Sequence, residues 1–348
     1  MKQKWIEFLI DNGAEISNGV IDSYGNPSRE LKLSGNGDII TDLSHTGLIS
    51  VRGEDAETFL QGQFTNDLRN VTDSSAQING YCSPKGRLLS NFLIFKRFDS
   101  YYLRLPKPLI DETIKRLKMF VLMSKVVIDD ASDSQIHIGY AGPNAESSLK
   151  DQLGDIPESD LGTVQLDDIT VIRLPGSHPR FEILGPLDKI IQLWTALNVH
   201  AAPVSATAWT WLTIKNGLPI INEHTVDAFV PQMVNMHLIN GVSFKKGCYT
   251  GQEIVARMQY LGKLKRRMYL AHVDCSHTPA DGDPLFSANS TSGQGTGKIV
   301  NCCASPDGGL DLLAVIEIKS VDSGSIHLVD SNGPGLQFMD LPYPLEVE

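Results

Sequence analysis

The chain has 348 residues, 41% apolar and 20% charged, a balance that excludes disordered, collagen-like and coiled-coil chains and leaves room for two or three domains. Thirty basic against forty-one acidic side chains give a net charge of −11, which argues against a broad nucleic-acid surface, because such binding runs on phosphate neutralisation. Five scattered cysteines form no disulfide framework, and neither a secretory signal nor a membrane span is present, so a cytoplasmic protein is expected.

Residues 1–40 carry turn signals at Asn12-Gly13, Tyr24-Gly25-Asn26-Pro27 and Gly35-Asn36-Gly37 and little periodicity. Ile39 to Arg52 alternates as a strand. Asp55 is placed to cap a short helix through Phe59 and Leu60, followed by the polar loop Gln61–Asp67. Strands are predicted around Gln77–Cys82, Leu88–Phe98 and Tyr101–Leu105, the first two joined by the turn Ser83-Pro84-Lys85-Gly86. Ile110, Ile114, Leu117 and Val121 share one face and predict a helix over 107–123. Further strands are expected at 126–128, 135–139, 169–174 and 181–184, and helices at 188–197 and 206–215, the latter stopped by Asn216-Gly217.

Beyond Gly262 the basic run Lys263–Arg267 leads into short strands at 268–273, 284–287, 298–302, 311–318 and 325–328, with no helical pattern. Residues 263–348 therefore read as a small β-barrel or sandwich after an α+β region at 1–262. Gly293–Lys298 lacks Walker spacing and reads as a glycine-rich hairpin. His272, Cys275, His277, Cys302 and Cys303 contain no Cys-x-x-Cys pair, and no resident metal site is expected from them.

The most informative segment is Ser243–Arg257. Thr250 and Glu253 have capping-box spacing, so a helix is expected to begin near Gly251 and to run through Ile254, Val255 and Met258. Cys248 falls just before the helix's positive end, with Lys245 and Lys246 upstream, and both influences favour a thiolate. Gly247 and Gly251 allow close backbone approach. A reactive thiol and a buried structural cysteine both remain open on this reading.

Lys-Gly-Cys-Tyr-Thr-Gly-Gln-Glu at 246–253 resembles the signature of the YgfZ family, folate-binding relatives of the glycine-cleavage aminomethyltransferase. The resemblance extends to Leu60–Gln63, Asn66-Asp67, Lys85-Gly86, Ser90-Asn91, Phe229–Gln232, Asn235, Gly241, Phe244 and Leu341–Tyr343, about residues 42–345. It implies a cloverleaf-like, three-subdomain GcvT-type fold of α+β class with a C-terminal β-barrel. It further implies an accessory factor for assembly or repair of iron–sulfur proteins, supporting tRNA methylthiolation.

On this resemblance Cys248 is the functional thiol, with Lys246, Tyr249 and Glu253 beside it in the motif. Tetrahydrofolate or another reduced folate is the expected cofactor, with contacts from Trp209, Asn91, Thr46 and Arg257. A tryptophan of the family is replaced near Thr46, and the helix spacing of Trp209 also suits a core position. Ser90 and Asn91 stand where the transferases carry an acidic pair. Neither is a general base near neutral pH, so conventional aminomethyl transfer is not expected. If the chain is an enzyme, the alternative is a folate-dependent methyl or aminomethyl transferase with an unknown acceptor. Expected partners are folate and iron–sulfur proteins such as tRNA methylthiotransferases, with no direct nucleic-acid contact and no membrane, the chain being a monomer.

Overall fold

The computed structural model describes residues 3–17, 20–275, 278–287 and 295–345. The chain packs as two compact units that interleave in sequence: 1–59, 68–77 and 93–212 form the first, and 60–67, 78–92 and 213–348 the second. The division does not fall at residue 262.

The first forty residues hold more structure than their turn signals imply. Trp5 and Leu9, one helical turn apart, form the buried face of α1 (Gln3–Asp11). A small hairpin, β1 (Glu15–Ser17) and β2 (Val20–Ser23), leads to α2 (Pro27–Asn36), where Asn26 accepts from Arg29 N as N-cap and Pro27 occupies the first turn. The expected Ile39–Arg52 strand is two strands, β3 (Ile39–Asp42) and β4 (Thr46–Arg52), which join different sheets. After α3 (Ala56–Gln61) come β5 (Gln77–Cys82), β6 (Leu88–Arg97) and β7 (Ser100–Pro106).

Helix α4 (Ile110–Lys118) is shorter than predicted. Its buried stripe is Ile110, Thr113 and Leu117, and Val121 lies past its end in a turn that leaves Met123 exposed. Then follow β8 (Val127–Asp130), β9 (Ile136–Ala141), α5 (Ala145–Leu153), β10 (Thr163–Leu166), β11 (Ile169–Leu174), β12 (Arg180–Gly185), α6 (Leu187–Leu197), β13 (Ala202–Val204) and α7 (Ala206–Lys215).

Strands β10-β11-β12-β9-β3-β13 form the first unit's six-stranded sheet, antiparallel except for β13 beside β3. Its apolar face packs on α1 and α6 through Ile40, Tyr140, Phe181 and Trp194, with Trp5 and Trp194 edge to face at 5.5 Å. A second sheet runs β5-β6-β7-β4-β8; β6 crosses the division, Leu93–Arg97 pairing with β7 in the first unit.

The second unit continues through α8 (Gln252–Tyr260), β14 (Arg266–Val273), β15 (Pro284–Leu285), β16 (Gly297–Ala304), β17 (Leu310–Glu317), α9 (Ile318–Ser323) and β18 (Gln337–Met339). Strands β14 to β18 make one antiparallel sheet, β15-β16-β17-β14-β18, over a core that includes Val273, Ile299, Leu312 and Ile326. Helix α9 replaces the tail of the strand expected to reach residue 318. The strand expected at 325–328 reduces to isolated bridges from His327 to Phe286 and Gly335. His277 and Gly293 lie outside the described residues, and no helix among the described residues is long and apolar enough to cross a membrane.

Candidate functional site

The motif segment 246–253 lies within the second unit. Lys246 is 6% exposed, and its ammonium donates to the main-chain oxygens of Gln61, Phe64 and Asn66 at 2.7, 2.6 and 2.8 Å. An ammonium carries three N–H donors, and here three carbonyls receive them. The clamp is reinforced around it. Thr65 Oγ1 donates to Gly241 O at 2.7 Å, Asn66 Nδ2 donates to Asn240 O, and Ser243 N donates to Thr65 O at 3.0 Å. The polar loop 61–66 and the approach to the cysteine are therefore fixed to one another.

Burial alternates sharply through the next residues: Lys246 is buried, Gly247 and Cys248 are exposed, and Tyr249 is buried. The Tyr249 ring lies 5.2 Å below the Lys246 ammonium, a cation–π contact, and burial pushes its hydroxyl pKa up. The Cys248 thiol is thus presented to solvent between two anchored side chains.

Helix α8 starts where the motif predicts but is capped differently. Gly251 is the N-cap in the left-handed region at φ 81°, and no side chain caps the helix, so the Thr250–Glu253 box is not formed. A Cβ on Gly251 would lie 2.4 Å from Ser83 O, and one on Gly86 would meet Ile254 Cβ at 2.8 Å. The two glycines let the 83–87 turn close onto the start of α8. Gly247 has no such neighbour. Glu253 and Arg257 follow on α8, both exposed and one turn apart.

Asn91 is also in the second unit, 8% exposed, and both ends of its amide serve the main chain: Nδ2 donates to Pro219 O and Oδ1 accepts from Ile221 N. Ser90 beside it is fully buried. No carboxylate stands at this pair of positions, and the Asn91 amide stitches β6 to residues 219–221.

Trp209 and Thr46 belong to the first unit, where they border a cluster that spacing along the chain did not reveal. Glu182 on β12 is 1% exposed and bidentate with Arg104 of β7, at 2.7 and 3.1 Å, while His137 Nε2 lies 3.1 Å from Oε2. Burial alone would push the Glu182 carboxyl up, but Arg104, His137 and Arg180 together hold it at about 2. Arg180, fully buried, lies 4.7 Å over the Trp209 ring and donates to Leu212 O; burial draws its guanidinium down to about 10. Gly139, in register with Glu182, leaves room for Trp209, since a Cβ there would sit 2.8 Å from the indole. Thr46 Oγ1 donates to Leu43 O and lies 3.2 Å from His137 Nδ1. His45 Nδ1 is sealed from solvent with no hydrogen-bond partner, and burial, His137 and Arg104 lower that imidazole to about 4.

The residue types of this set, a carboxylate, cations and an indole, are those that recognise a flat, amino-substituted heterocycle such as a pterin, but both Glu182 oxygens are engaged by Arg104 and His137, and Arg180 lies over the Trp209 ring. Asn91 does not fit that role, because its amide is spent on the main chain. Sequence reasoning named Trp209 but not Glu182, His137 and Arg104, which lie on three separate strands. The one sequence signal was the charged Arg180-Phe181-Glu182 run inside an otherwise apolar strand. Among the described residues, no group of three or more His, Cys, Asp or Glu side chains is arranged to hold a metal ion.

Residues 27–243 match the GCVT N-terminal domain. The tRNA-modifying protein YgfZ of Colwellia psychrerythraea is 33% identical over 309 residues, covering 89% of this chain and 94% of that protein. The tRNA-modifying protein YgfZ of Klebsiella pneumoniae is 31% identical over 304 residues, covering 87% and 92%. The glycine cleavage aminomethyltransferase T of Bartonella henselae shares the fold, with a TM-score of 0.76 over 97% of this chain and 96% of its own, at 16% identity. The chain therefore belongs to the YgfZ protein family, built on a GCVT N-terminal domain.

Proposed function

We propose that this chain is a folate-binding accessory factor for iron–sulfur proteins that supports tRNA modification, with Cys248 as its working thiol. The observation that carries the reading is the exposure of Cys248 between two buried anchors, Lys246 and Tyr249. A merely structural cysteine is usually buried as a small hydrophobe; this one is held out on a braced loop. The relatives' designation as tRNA-modifying proteins supports the tRNA connection.

In this reading the residues divide the work. Lys246 and Tyr249 position the loop, and Gly251 and Gly86 set the start of α8. Cys248 meets the cargo, an iron–sulfur cluster or the protein that carries it. A single thiolate holds a cluster poorly by itself, so the partner supplies the remaining ligands. Glu182 and Trp209 are the side chains that would hold a reduced folate, whose chemistry is to carry a one-carbon unit. With Ser90 and Asn91 in place of a carboxylate pair, this chain provides no general base there, and aminomethyl transfer is not its reaction.

The test is the methylthio-nucleoside content of tRNA in cells lacking this gene and complemented with wild type or Cys248→Ala. Restoration by wild type alone supports the proposal. Equal restoration by Cys248→Ala removes the thiol from it. Isothermal titration with tetrahydrofolate, comparing wild type with Trp209→Leu, tests the folate part separately.

A further inference from the structure

Helix α8 of the second unit starts at the end of the Cys248 loop and packs on one side only. Of its nine residues only Val255 is buried. At 3.6 residues per turn, Glu253, Arg257, Tyr260 and Leu261 fall on the side away from Val255. Tyr260 and Leu261, at the C-terminal end, are 67% and 84% exposed, and Glu253 and Arg257 are exposed as well. Glu253 and Arg257 stand at the i,i+4 spacing that permits an ion pair within a helix, yet neither enters one among the described residues. The Tyr260 ring is held edge to face against Phe244 at 6.1 Å. Phe244 lies four residues before Cys248, so the stripe on α8 touches the segment that carries the thiol.

The make-up of the stripe narrows its occupant. A tyrosine, an arginine and an aliphatic side chain together, edged by polar groups, have the composition of a protein–protein contact, where tyrosine and arginine carry much of the binding. A nucleic-acid backbone or an anionic lipid surface presents one sign of charge, and Glu253 repels it. A surface that offers both a carboxylate and a cation answers Arg257 and Glu253 together, and such a surface belongs to a folded protein. The proposed function supplies which protein. A single thiolate leaves the remaining cluster ligands to the partner, so the partner rests on the surface beside Cys248 while the cargo is shared.

We infer that the exposed stripe of α8, formed by Glu253, Arg257, Tyr260 and Leu261, is the docking surface for the iron–sulfur protein whose cargo meets Cys248. Tyr260 and Leu261 pack on an apolar patch of that partner, and Arg257 and Glu253 fix its register through opposite charges. The inference rests on the proposed function for the partner's identity, and on the exposure and charge of α8 for the surface itself. It gives Arg257 a protein partner where the family resemblance implies a folate contact.

The experiment is anaerobic biolayer interferometry of the full-length protein against a purified, cluster-loaded tRNA methylthiotransferase of the same organism. The wild type is expected to bind. Tyr260→Ala and Arg257→Glu should each weaken binding at least about tenfold, as central interface residues do. Leu261→Asp, at a side chain that stands almost wholly in solvent, should give a similar loss without disturbing the Tyr260–Phe244 contact. Cys248→Ala should bind within about twofold of wild type, because a small side chain adds little to an interface of this kind. Lys115→Glu with Lys118→Glu, on exposed positions of α4, should bind as wild type does. Circular dichroism and urea midpoints establish that each variant is folded. Absence of binding by wild type, or wild-type binding by Leu261→Asp and Arg257→Glu, overturns the inference. So does a dimer of this chain in sedimentation that Leu261→Asp dissociates, which assigns the stripe to a second copy. Binding that depends on Arg257 and Leu261, found together with full tRNA methylthiolation in Cys248→Ala cells, upholds the docking surface and contradicts the thiol reading alone.

Discussion

In the first unit the buried Glu182 carboxylate has Arg104 and His137 each within 3.1 Å. In the second unit Lys246 is also buried, but its ammonium is received by three main-chain oxygens. The first arrangement depends on a carboxylate held by side-chain partners. The second depends on backbone dipoles, which do not titrate. The comparison teaches that burial of charge serves two ends here. One is a compact cluster of side chains that satisfy one another. The other is a rigid footing for an exposed loop.

The largest effect is expected from removing the negative member of the first cluster. Glu182→Gln leaves Arg104 and Arg180 without their carboxylate and should cost about 3–5 kcal/mol, read from the urea midpoint. A loss below about 1 kcal/mol would show that the cluster is not held by this carboxylate. Lys246→Met should cost about 2–4 kcal/mol, because three buried carbonyls lose a charged donor. The same variant should alkylate Cys248 at a changed rate, since the loop loses its anchor; wild-type alkylation kinetics would contradict the positioning role.

The two units should also differ in their response to pH. His45 is held at about 4, below its usual 6.5, so its folded form is the neutral one. The unfolded chain therefore binds a proton first, and stability falls as pH drops from about 6.5 toward 4. Glu182, held at about 2 against a usual 4.5, contributes stability that is lost between those values on further acidification. Asp42, raised by burial, opposes this trend. Urea titrations at pH 7.5, 5.5 and 4.5 should show the decline, and His45→Gln should flatten its upper part. An unchanged profile in His45→Gln would assign the decline elsewhere.

The legible parts of the sequence were those with local causes. Helices α6 and α7 and the strands β5, β6, β7, β11 and β12 follow from periodicity and turn chemistry within a dozen residues. Helices α1 and α2 were missed because α1 shows only one turn of apolar spacing, and Asn26-Pro27 is both a turn signal and a helix start. The Cys248 loop was found by its motif, but the direction of Lys246 was not legible. Its partners lie about 180 residues earlier in the chain, and no spacing rule reaches that far. The Glu182 cluster was hidden for the same reason, its members coming from β7, β9 and β12 in two sheets.

The smallest effect on stability and the largest on function are expected at one residue. Cys248 is exposed, so Cys248→Ala should shift stability by no more than about 0.5 kcal/mol while removing the proposed activity. The decisive measurement is the methylthio-nucleoside level of tRNA from deletion cells that express wild type or Cys248→Ala at equal abundance. The account predicts restoration by wild type and none by the variant. Restoration by both would contradict it and reduce Cys248 to a bystander on a braced loop.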